Sequence, residues 1–150
     1  MKVRLFIAVS VLIGLFSVAN AEQGNRILLA STNFGKASVV KGGARVIVAE
    51  DVLKLADYDE ELIIFDVRNK SSRKSGNITW SEGFSSDTAA FNQLNTNVTD
   101  KETTIIVYGY KNSLTAAKSA KKIIAQGYKN VYWFKGGWPE WKQKGLKMDM

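Results

Sequence analysis

The chain has 150 residues, 45% of them hydrophobic, with 21 Lys and Arg against 14 Asp and Glu, and it contains neither histidine nor cysteine. That composition removes disulfides, thiolate nucleophiles, histidine-activated triads and Cys/His metal centres. One domain fits the length, and the basic residues are scattered without an aromatic-laced stripe, so no nucleic-acid partner is expected.

Lys2 and Arg4 open the chain, Leu5 to Val18 is a mainly apolar run, and Ala19-Asn20-Ala21 has the small-x-small pattern of a signal-peptidase site. The run is about 14 residues, short of the roughly 20 that span a bilayer. Residues 1–21 therefore read as a signal peptide cleaved after Ala21, which predicts a periplasmic or secreted protein with no stable membrane insertion. The mature chain would keep 19 basic and 14 acidic residues, a net charge of +5. Residues 22–45 read as an N-terminal extension. Arg26 to Ala30 and Ala37 to Lys41 form a candidate hairpin across Ser31 to Gly35.

Val46 to Val48 predicts a short strand and Ala49 to Ala56 a helix. Leu62 to Phe65 is a continuous apolar run, as in strands buried on both faces of a parallel sheet. Asn69 to Ser86 reads as one long polar loop carrying Trp80 and Phe84. Asp87 caps a helix to about Leu94, residues 95–102 form a loop, and Thr104 to Tyr108 is the second central strand. A helix from Ser113 to Gln126 places Leu114, Ala117, Ala120 and Ile124 on its apolar face and stops at Gly127. Val131 to Phe134 is a further strand. Trp138 to Lys144 is a last helix with Pro139 in its first turn. Such alternation predicts an α/β sandwich in three layers, a mostly parallel central sheet with helices on both faces. Ligands in these sheets sit at the carboxyl ends of the strands, here Asp66 to Arg68 and Gly109 to Thr115.

Ile63-Ile-Phe-Asp-Val-Arg68, the strand-loop-helix at 104–120, and Asn130-Val-Tyr-Trp-Phe-Lys-Gly-Gly-Trp-Pro-Glu-Trp141 followed by Lys144-Gly-Leu146 resemble a single-domain rhodanese. The likeness covers residues 46–147, about four fifths of the mature chain. It implies a sulfurtransferase fold in which a loop cysteine carries sulfane sulfur. Family members typically read Tyr-Cys-x-x-Gly-x-Arg-Ser/Thr at that loop. The matching residues here are Tyr108, Gly109, Tyr110, Lys111, Asn112, Ser113, Leu114 and Thr115. Cysteine has become Gly109, the loop glycine Asn112 and the arginine Leu114. The Gly-His-Ile-Pro-Gly-Ala segment is reduced to Gly76-Asn77-Ile78-Thr79-Trp80-Ser81. Phosphatase and arsenate-reductase relatives need the same cysteine, so Gly109 excludes them too.

No residue offers a ready substitute. Ser113 and Thr115 lack a histidine to activate them, and Lys111 in an exposed loop is not desolvated enough to act as a base. Ser113 or Asn112 reads as a helix cap. The resemblance implies that Asp66 and Arg68 sit beneath the loop and support it, as an ion pair or through a loop hydrogen bond, with ligand contact as the alternative. Trp133, Trp138 and Trp141 read as core. Trp80 and Phe84 are divided between packing and partner contact. Neither metal nor cofactor is expected. The expectation is an exported, catalytically inactive rhodanese-like module that binds an unidentified protein in the cell envelope. Residues 109–115 would offer a weak oxyanion pocket of backbone N–H groups. The alternative is a sulfurtransferase-related enzyme working by an unrecognised route.

Overall fold

The computed structural model describes residues 43–150. The signal-peptide reading and the hairpin across 26–41 lie outside the described residues. No helix among those described is long and apolar enough to cross a membrane.

Five strands form one parallel sheet in the order β1–β6–β5–β2–β4. They are β1 (Arg45–Ile47), β2 (Ile63–Asp66), β4 (Ser81–Gly83), β5 (Thr104–Tyr108) and β6 (Asn130–Phe134). Two further strands, β3 (Asn77–Ile78) and β7 (Met148–Asp149), pair antiparallel with each other. The helices are α1 (Ala49–Tyr58), α2 (Lys70–Arg73), α3 (Thr88–Asn97), α4 (Leu114–Ala125) and α5 (Gly137–Gln143).

Side chains alternate across a strand, and β5 shows where each set goes. Ile105 and Val107 join Phe91 and Leu94 of α3 and Ala116, Ala120 and Ile123 of α4. Ile106 and Tyr108 join Val52 and Leu55 of α1 and Trp138 and Trp141 of α5. Helices therefore cover both faces, and each fully buried Ile, Val or Phe contributes about 1.5–3 kcal/mol. Glu140 links α1 to α5 by accepting the Ala49 amide at 3.0 Å, and Lys144 pairs with Glu50 at 2.6 Å on the surface.

The segment 69–86 differs from the expected loop, because it holds α2, β3 and β4. Asn69 caps α2 by accepting the Ser72 amide at 2.8 Å. The polar triplet Ser81–Gly83 is an edge strand beside β2. Such short strands carry no periodicity of their own, and partners remote in sequence create them. The apolar face of α4 also differs: Ala116, Ser119, Ala120 and Ile123 are buried, while Leu114 is 72% exposed. Small residues pack against the sheet there, so the largest hydrophobe is a poor guide to the buried face. Phe84 is buried against Phe65 and Phe91, whereas Trp80 is 64% exposed.

Candidate functional site

Strands β2 and β5 lie in register, Asp66 beside Tyr108, so both chains leave the sheet at one edge. Asp66 is fully buried and Arg68 nearly so. The Arg68 guanidinium donates to both Asp66 carboxylate oxygens, Nη2 to Oδ2 at 2.6 Å and Nε at 3.0 Å to each, and its backbone amide adds a bond of 2.9 Å. Nη2 also donates to the Gly76 carbonyl at 2.8 Å. The Tyr108 hydroxyl completes the knot, donating to Asp66 Oδ2 at 2.7 Å and accepting the Ile78 amide at 3.1 Å.

Burial works against the Arg68 charge, and the bonds and charge of Asp66 outweigh it, so its pKa is held above the ordinary value. The Tyr108 phenol is pushed well upward, first by burial and then by the Asp66 carboxylate. Arg68 is also stacked, 4.5 Å from the Trp138 ring and 5.8–5.9 Å from those of Tyr108 and Tyr110. Its charge is consumed inside the protein. Arg73, which sequence alone did not single out, reinforces the same corner by donating to the Arg68 carbonyl at 2.7 Å and the Asp66 carbonyl at 3.3 Å. A Cβ on Gly83 would collide with this guanidinium.

The loop after β5 rests on α5. The Gly109 carbonyl accepts the Trp138 amide at 2.8 Å, and the Lys135 carbonyl accepts the Asn112 amide at 2.9 Å. Asn112 takes φ 58°, a left-handed conformation that glycine adopts freely and asparagine tolerates. The loop path thus survives the change from glycine. Ser113 caps α4, its hydroxyl accepting the Ala116 amide at 3.2 Å.

A side chain at residue 109 would be crowded. An ideal Cβ on Gly109 would lie 2.8 Å from Ser113 Oγ, 3.0 Å from Ser113 Cβ and 3.4 Å from Val67 Cγ2. The hydroxyl of the capping serine crowds the side from which a side chain at residue 109 would project. The amides of Asn112, Ser113, Ala116 and Ala117 are already engaged, which leaves at most those of Gly109, Tyr110, Lys111, Leu114 and Thr115 for a ligand. Lys111, Leu114 and Thr115 are exposed, and the Tyr110 hydroxyl donates to Ser72 Oγ at 2.9 Å. The structure therefore brings Gly109 and Ser113 together over Val67 and leaves Lys111, Leu114 and Thr115 at the rim.

A parallel sheet with helices on both faces and a strand-loop-helix turn over a buried Asp-Arg pair places the chain in the α/β class. A family model, the rhodanese-like domain, matches residues 48–144, and the chain belongs to that family. The solution structure of the polysulfide-sulfur transferase homodimer from Wolinella succinogenes is similar over 87% of this chain and 88% of that one, at 21% identity and a TM-score of 0.59. Thiosulfate sulfurtransferase from Pseudomonas aeruginosa is similar over 69% of this chain and 20% of its own, at 19% identity and a TM-score of 0.59. The rhodanese-like domain of an Anabaena protein matches over 68% and 76%, at 21% identity and a TM-score of 0.58. At these identities the likeness shows the fold alone. No curated protein matches the chain.

Proposed function

We propose that the chain is an exported, catalytically inactive rhodanese-like module that binds a protein partner in the cell envelope. The observation that carries this reading is the Gly109–Ser113 contact. The chain has no cysteine, and a side chain at residue 109 would crowd the capping hydroxyl of Ser113. Sulfur transfer by persulfide needs a thiolate that accepts the sulfur atom and then surrenders it. At the mouth of the loop, where the family presents arginine to an anionic donor, Leu114 and Tyr110 expose apolar surface. Such a rim suits a protein contact better than a small anion.

Oxyanion binding by residues 109–115 belongs to the same proposal as a minor property. With one flexible lysine and at most five amides, affinity would be near the millimolar level, roughly 4 kcal/mol. The names of two structural neighbours, a polysulfide-sulfur transferase and a thiosulfate sulfurtransferase, favour a second reading, sulfur transfer by an unrecognised route. The two separate in one assay. Incubation with thiosulfate and cyanide should give no more thiocyanate than buffer, and production well above that level would refute the inactive reading.

A further inference from the structure

On the opposite side of the sheet from the Asp66–Arg68 pair, a cleft of about 140 Å³ opens beside α4, lined by Ser86, Thr115, Lys118, Ser119 and Lys122. Thr115, Lys118, Ser119 and Lys122 recur at i, i+3, i+4 and i+7, which places them on one face of the helix. Ser86 reaches in from the segment before α3. Ser119 is the polar member of the buried face of α4, beside Ala116, Ala120 and Ile123. Its Oγ lies 2.9 Å from that of Ser86. Two hydroxyls carry two hydrogens and their mutual bond uses one, so the pair retains a donor for a third group. Packing alone would have been served by alanine, without a hydroxyl to desolvate.

The charges point the same way. Lys118 and Lys122 stand one turn apart, where like charges repel. Neither lysine takes part in the ion pairs Asp66–Arg68, Glu102–Lys129 and Glu50–Lys144. Lys122 lies 5.1 Å from the Phe91 ring centroid. No carboxylate lines the cleft, and the nearby Asp87 is turned to α3, accepting from the Ala90 amide and the Ser85 hydroxyl.

We infer that this cleft is an oxyanion site, in which Lys118 and Lys122 supply the charge and the Ser86–Ser119 pair and Thr115 supply hydroxyl donors to a tetrahedral anion such as phosphate. Pockets for larger ligands run to about 300–1,000 Å³, so the cleft is of a size for a phosphate-like group. It shares Thr115 with the loop after β5 and is otherwise distinct from it.

The test is an amide NMR titration of the full chain with sodium phosphate at low ionic strength, with sodium chloride at matched ionic strength as control. Saturable shifts should centre on Ser86, Lys118, Ser119 and Lys122, with half-saturation around the millimolar level, and should fade as salt screens the lysines. Lys118→Ala/Lys122→Ala alters two exposed side chains, so its unbound spectrum should stay native while the affinity falls by about tenfold or more. Ser119→Ala should weaken binding with both lysines intact. Shifts reproduced by chloride, or unchanged in the double lysine variant, would overturn the inference. Shifts confined to Tyr110–Thr115 would also overturn it, while supporting the loop as the anion-accepting element.

Discussion

Ser113 and Gly109 share one space, and this sets what can be regained by substitution. Gly109→Cys on its own forces a Cβ to within 3.0 Å of Ser113, a form of overpacking that costs about 1–3 kcal/mol. Replacing the capping serine with glycine costs only a few tenths of that unit. We therefore expect Gly109→Cys to lower the melting temperature, and Gly109→Cys/Ser113→Gly to recover most of the loss. Neither should approach sulfurtransferase turnover, because Leu114 supplies no guanidinium to depress the thiol pKa. A single Cys variant as stable as the parent would contradict the shared-space account.

Tyr108 gives a second test at the same scale. Its phenol is held protonated in the folded chain, with its pKa raised above the ordinary 10.0 by burial and by Asp66. Burial raises Tyr132 in the same direction. The unfolded chain loses these protons near pH 10 while the folded chain keeps them. The stabilisation is thus complete below that pH and is lost as pH rises through the folded values. Denaturant unfolding from pH 8 to 11.5 should show stability falling above about pH 10, and Tyr108→Phe should flatten the slope. That variant also strands the Ile78 amide and one Asp66 lone pair, at a cost of about 1–3 kcal/mol at neutral pH. An unchanged alkaline slope in Tyr108→Phe would locate the titration elsewhere.

Among the elements, legibility followed how much of each signal is local. The apolar runs 63–65 and 104–108 announce buried strands because burial on both faces leaves no alternation to misread. Asp87, Ser113 and Gly127 mark helix ends through backbone chemistry that acts within a few residues. Strands β3, β4 and β7 were hidden, being two or three residues long and made by partners distant in the chain. The Asp66–Arg68 pair was readable as an ion pair. Tyr108, Arg73 and Trp138 were not readable as its companions, because their convergence depends on the sheet register and the return of α5. Helix α4 shows the limit of reading amphipathicity from large residues: its buried stripe is Ala, Ser, Ala, Ile. Leu114→Ser should accordingly change stability by less than about 0.5 kcal/mol. Ala116→Leu, at a site with no exposure, should cost about 1–3 kcal/mol. Equal effects in thermal unfolding would mean that the helix is rotated from the orientation described.

At the scale of the whole chain, export remains a proposal resting on Lys2, Arg4, the apolar run to Val18 and the Ala19/Ala21 spacing. Intact mass of protein recovered from the producing cell's envelope should correspond to Glu22–Met150. Exported material still carrying residues 1–21 would reject the cleavage site. The 97-residue stretch matched by the family model, 48–144, ends just before Met148, whose strand pairs with Ile78. A chain cut after Gly145 should therefore lose the β3–β7 ribbon and leave the corner holding Gly76 less well fastened.

The strand order has a consequence for the order of events in folding. Among the described residues β1 pairs with β6, so Val46 waits for Trp133. β5 likewise finds one of its two neighbours in β2 and the other in β6. Contacts so distant along the chain must overcome loop-closure entropy before they return any energy, which makes such sheets slow to assemble. A growing or threading chain that has not yet delivered residues 130–134 can dock α3 and α4 against β2 and β5, yet it cannot close the sheet. The last fifth of the sequence therefore acts as the latch, and until it arrives β1 lacks the strand it pairs with among the described residues.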